Sequence, residues 1–178
     1  MKIVSVLVAL VLAASALAAS RQNIYVGTAK SLVPTARSVG FERISTSHAT
    51  SFGSPLLPGL KSAWHVNYRI TSPTVGATAL IGVYNNQAHA REAYADACTV
   101  GIGACTIALT NGIRMKYSVS SLSHGTTLFH SYTTCRNLFV SVGVVGPVAL
   151  SRLRLLAGEI AIGIYVKAIV QGMAACAV

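Results

Sequence analysis

Residues 64–71 read WHVNYRIT. Trp64, Val66, Tyr68 and Ile70 alternate with His65, Asn67, Arg69 and Thr71. Side chains along a strand point to opposite faces in turn, so this stretch predicts a strand with one apolar and one wet face. A half-wet strand belongs in an antiparallel sheet, the kind that can leave one side in water. Residues 72–76, SPTVG, supply Pro and Gly for a turn. Residues 77–84, ATALIGVY, are more apolar and suit a central strand. Asn85 or Asn86 can cap the helix that follows. In residues 87–98, QAHAREAYADAC, Ala90, Ala93, Tyr94 and Ala97 fall at i, i+3, i+4 and i+7, one face of a helix.

The second half repeats this order. IRMKYSVS, residues 113–120, sends Ile113, Met115, Tyr117 and Val119 inward and Arg114, Lys116, Ser118 and Ser120 outward. SLSHG turns the chain, and residues 126–134 and 136–145 read as two further strands, the second richer in apolar residues. Gly146 and Pro147 end that strand, and Pro147 suits the first turn of a helix over 148–171. This last helix is apolar around most of its circumference, which implies deep packing. Upstream, FERI at 41–44 reads as a strand, and residues 20–37 are polar and mixed, with Pro34 interrupting one short helix. Residues 40–98 and 113–172 thus each read β-β-β-α. The predicted class is α+β: an antiparallel sheet of about six strands in two such units, with the helices packed on one face. The other face would carry His65, Asn67, Arg69, Arg114 and Lys116.

Residues 1–18 have the form of an export signal. Lys2 precedes an apolar run, and Ala16-Leu17-Ala18 is a small-x-small cleavage site. The run is shorter than the ~20 residues of a membrane span. Cleavage would leave an N-terminal segment, 19–39, and one domain, 40–178. The long C-terminal helix is cut by Glu159 and Lys167, so no span is expected in the mature chain.

Export gives the four cysteines a meaning, because an even set outside the cytoplasm usually forms disulfides. Cys98, Cys105, Cys135 and Cys176 allow three pairings. Six residues separate Cys98 from Cys105, neither a zinc-knuckle nor a thioredoxin spacing. Gly101 and Gly103 let that loop double back, which favours a local Cys98–Cys105 clip. The strand at 136–145 is about 33 Å long and the helix at 148–171 about 36 Å. A helix packed back along that strand returns Cys176 to Cys135. The other two pairings remain open.

The net charge is +10, from 14 Lys and Arg against four Asp and Glu. The excess reflects missing acids, with the bases spread along the chain. An exported basic protein meets anionic polymers, headgroups or acidic ligands, and no nucleic-acid partner is expected. Four carboxylates make glycosidase chemistry a poor fit, and Glu92 and Asp96 lie one helical turn apart on an outer face. His89-x-x-Glu92 followed by Cys98 lacks the His-x-Glu and Cys-x-x-Cys of a zinc deaminase. Ser141 lacks a nucleophile elbow, and "GIGAC" is too short for a phosphate loop. The five histidines show no metal spacing, although His65 and His130 could approach each other across the sheet. No catalytic motif, metal site or cofactor is implied. The wet strand face remains as a candidate anion site: His65, Arg69, Arg114 and Lys116.

Three stretches together carry a resemblance: SLVPTARSVGFERI (31–44), TALIGVYNNQAHAREAYADA (78–97) and CRNLFVSVGVVGPVALSRLRLLAGEIA (135–161). Their order is similar to that of small exported bacterial domains, the extracytoplasmic sensor and lipoprotein-type domains of actinobacterial kind, and at fold level to PsbP-like α/β sandwiches. No cysteine follows the cleavage site here, so the lipid anchor of the lipoprotein type is not expected. The resemblance implies a sensor-type domain and brings no catalytic motif with it; the basic charge and the wet basic strand face lead us to expect a non-enzymatic, disulfide-stapled secreted or periplasmic binding domain. An anionic surface or a small acidic ligand is the expected partner. The alternative is a secreted membrane-active toxin or effector that uses the apolar C-terminal helix.

Overall fold

The structure is a computed structural model and describes residues 23–49, 58–97, 105–110 and 113–176. The signal at 1–18 lies outside the described residues, as do Cys98 and the glycines of its loop.

Seven strands form one antiparallel sheet: β1 (Arg43–His48), β2 (Leu60–Thr71), β3 (Thr74–Tyr84), β4 (Thr106–Thr110), β5 (Ile113–Ser121), β6 (Thr127–Cys135) and β7 (Leu138–Gly146). Their spatial order is β1-β2-β3-β7-β6-β5-β4. Helix α1 (Gln87–Asp96) follows β3, and helix α2 (Leu150–Val170) follows β7. The class is therefore α+β, with seven strands in place of about six. The added strand is β4, whose Thr110 pairs with Ile113 of β5. Asn111-Gly112, the connection between them, is a strong two-residue hairpin signal in the sequence.

The two halves meet where β3 pairs with β7. Antiparallel pairing of equivalent strands is what a duplicated unit would produce, and it would put both helices on the same face. They lie on opposite faces. Ile81, Val83, Val140 and Val142 share a core with Leu153, Leu156, Ile160 and Ile164 of α2. Tyr84 and Phe139, neighbours in sequence of Val83 and Val140, point the other way and, with Tyr132 of β6, pack on Ala90 and Ala93 of α1. The reason is visible in β3 and β7, which are apolar at consecutive positions. A strand apolar on both sides needs cover on both sides.

The apolar breadth of α2 has the same explanation. One side packs on the sheet, while the segment before β1 lies across another. That segment makes two 3-10 turns, Ala29–Leu32 and Arg37–Val39, on either side of Pro34. Leu32, Val39 and Phe41 join the α2 core. A Cβ at Gly163 would stand 3.1 Å from both Pro34 and Val39, so a glycine is what lets the segment approach the helix so closely. Lys167 Nζ donates to Val33 O at 2.6 Å, and Tyr25 Oη donates to Gln171 Oε1 at 2.6 Å. Each fully buried Leu or Ile contributes roughly 1.5–3 kcal/mol. Core packing thus accounts for the apolar helix on which the membrane-active alternative rested. No helix among the described residues is long and apolar enough to cross a membrane.

Cys135 and Cys176 form a disulfide with their Cα atoms 5.4 Å apart. It ties the end of β6 to the segment that leaves α2. Cys105 is also disulfide-bonded.

Candidate functional site

The face opposite α2 is only half covered. Helix α1 has ten residues, about 15 Å of cover. Strand β3 alone has eleven, about 37 Å at strand rise. Asn86 starts the helix by accepting from His89 N at 3.0 Å, the capping that its side chain favours. At the other end, Lys116 Nζ donates to the carbonyls of Tyr94 at 2.9 Å and Ala95 at 3.1 Å. Its ammonium also stands 4.6 Å from the Tyr94 ring centroid. A cation at a helix C-terminus satisfies orphan carbonyls and meets the negative end of the dipole. Lys116 therefore holds α1 against the sheet.

Beyond α1 the uncovered sheet forms a groove of about 470 Å³. Its walls carry His65 and Asn67 from β2, Thr78 and Leu80 from β3, and His130 from β6. Gly76, Ser141 and Gly143 keep the floor low. His65 and His130 do share this groove, but three strand spacings and a two-residue offset in register, together about 16 Å, separate their backbones. His130 Nε2 is 2.8 Å from Ser141 Oγ, and Tyr132 Oη is 3.3 Å from His130 Nδ1. Burial lowers the His130 pKa below the ordinary histidine value and favours the neutral ring. Among the groove's lining residues there is no carboxylate to orient this ring, so the Ser–His contact lacks the third member of a hydrolytic triad. Thr78 Oγ1 donates to Asn67 Oδ1 at 3.1 Å, which sets that amide.

Toward the β1 edge the groove continues into a recess of about 390 Å³ that shares Asn67 and Gly76 with it. Arg43 and Arg69 line this recess, and the two are directly opposite in the β1–β2 register. Like charges at opposed positions destabilise a strand pair. The nearest acid in sequence, Glu42, is not among the residues that line this recess. It accepts from the Thr71 hydroxyl and amide, and these bonds, with Arg43 adding, hold its carboxyl below the usual range.

The four residues singled out from sequence all lie on this face, but they are not one site. His65 and Arg69 flank Asn67 at the groove and its recess. Lys116 is engaged by α1. Arg114 lines a separate recess on the far side of α1. Sequence reasoning missed Arg43, because a site partner on a neighbouring strand is set by register. It also missed the Ser141–His130 contact for the same reason. Among the described residues, no three His, Cys, Asp or Glu side chains gather to hold a metal ion.

No family model matches the chain, and no curated protein matches it. Its fold is similar to that in the crystal structure of the extracellular domain of PknH from Mycobacterium tuberculosis, with a TM-score of 0.50 and 10% identity. The likeness covers 80% of this chain and 98% of that one. At this identity it concerns the fold alone.

Proposed function

We propose that the chain is an exported, disulfide-stapled binding domain of sensor type, whose partner presents an anion to Arg43 and Arg69. The observation that carries this reading is the opposed arginine pair at the mouth of an uncovered groove with no acidic lining. An anion between the two guanidiniums would relieve their repulsion, and arginine's planar donors suit oxyanions. The rest of the partner would lie along the groove toward His65 and His130. The shared fold with an extracellular domain, the Cys135–Cys176 bridge and the export signal read in residues 1–18 support a place outside the cytoplasm. The resemblance carries no catalytic residues, and the groove holds no complete catalytic set.

The test compares two double variants of equal net charge on an anionic matrix. Arg43→Gln with Arg69→Gln should elute at clearly lower salt than Arg37→Gln with Arg152→Gln. Identical elution of the two would mean that only bulk charge matters, and the site would be abandoned. Gly143→Val supplies a second arm. A Cβ there meets Leu128 and His130 at ordinary contact distances, 3.8 and 3.9 Å. A larger side chain should raise the groove floor, leave the matrix retention intact and weaken any extended partner.

A further inference from the structure

On the far side of α1 from the groove lies a second recess, of about 470 Å³. Helix α1 lends it Gln87, Arg91 and Tyr94, which stand at i, i+4 and i+7 and so form one stripe. Arg114 enters from the start of β5. Arg136 enters from the β6–β7 turn, where it holds a left-handed backbone with φ 55°. Its Nε and Nη2 both donate to Ala175 O, at 3.3 and 3.0 Å. That bond fixes the guanidinium beside the Cys135–Cys176 bridge, and a guanidinium has five N–H donors, so others remain for a ligand.

No lining residue is acidic. Glu92 and Asp96 sit one and five residues after Arg91, about 100° and 140° around the helix from it. Three arginines, from a helix, a strand and a turn, therefore line one recess with no carboxylate among its lining residues. The buried hydroxyl of Tyr94 has no hydrogen-bond partner among the described residues. Arginines from three elements suit a tetrahedral dianion better than a planar carboxylate, which one bidentate arginine already satisfies.

We propose that Arg91, Arg114 and Arg136 form a binding site for a phosphoryl group, carried by a phosphate monoester. The recess is larger than a phosphate alone and within the size range of small-molecule sites. This site is separate from the Arg43–Arg69 pair and does not depend on that reading.

The experiment uses the exported chain with its disulfides intact. Glycerol 3-phosphate is titrated at constant ionic strength by calorimetry and by backbone amide shifts. The expected result is saturable binding, with shifts over residues 87–94, 114 and 136. Arg91→Gln and Arg114→Gln should each weaken it tenfold or more. Arg91→Lys, which keeps the charge and loses the planar donors, should weaken it severalfold. Arg43→Gln with Arg69→Gln should leave it unchanged, so the two sites fail or survive separately. A parallel arm uses phosphatidylcholine vesicles containing phosphatidic acid. Binding there that depends on Arg91 and Arg114, without binding of the soluble ester, names a lipid headgroup as the source and supports the site. If neither probe saturates, or if affinity is indifferent to Arg91 and Arg114, the proposal is wrong.

Discussion

Asn137→Ala should be among the most damaging single changes available in this domain. Asn137 is fully buried. Its Oδ1 accepts from Tyr25 N at 2.7 Å, and its Nδ2 donates to Tyr25 O at 2.8 Å and to Tyr84 O at 2.7 Å. One side chain thus pins the N-terminal segment to the end of β3 and the start of β7. Alanine would strand one backbone donor and two acceptors in the interior. At about 1 kcal/mol net per bond the loss is roughly 3 kcal/mol, a large share of a total stability of about 5–15 kcal/mol. For a domain of this size that corresponds to a fall in Tm of roughly 6–12 °C. Urea unfolding of the oxidised protein measures the first quantity and calorimetry the second. Amide exchange should also accelerate at Tyr25 before it does in the centre of β7. A loss below about 1 kcal/mol with an unchanged m-value would refute the idea that these three bonds hold the segment in place.

Three further outcomes are expected. Lys116→Met keeps the aliphatic stem and removes two charge-assisted bonds to the α1 terminus; it should cost about 1–2 kcal/mol and loosen α1 first, seen as faster exchange over residues 94–96. His130 is held neutral by burial, so the unfolded chain takes up its proton first; stability should therefore fall as pH drops from about 6.5 toward the lower folded pKa. His130→Gln should flatten that slope, and an equal slope in both proteins would count against it. The exported chain should begin near Ala19 and weigh four hydrogens less before reduction than after it, which intact-mass measurement checks; free thiols would undo the clip expected between Cys98 and Cys105.

Much of the fold is legible locally because strand and helix periods are local properties. The alternation at 64–71 places Val66 and Tyr68 inside and Asn67 and Arg69 in water, as the structure has them. Asn86 caps α1, and element lengths bring Cys176 back to Cys135. Met115 is buried as its phase on β5 requires, but Val119, in the same phase, is 42% exposed because cover runs out toward the strand's end. Phase gives the direction of a side chain, and only the packed layer decides whether anything lies over it.

The candidate site divides along the same line. Its basic and polar side chains could be assigned to one face from the sequence alone, since that needs only a period of two. Register decided that Arg69 faces Arg43. Docking of α1 decided that Lys116 caps a helix and that Arg114 joins Arg91 and Arg136 instead of His65. The consecutive apolar residues of β3 and β7 require cover on both faces, yet nothing local says which helix supplies which. That choice depends on the total apolar area each arrangement buries, a property of the whole chain, whereas periodicity and capping are decided within a few residues.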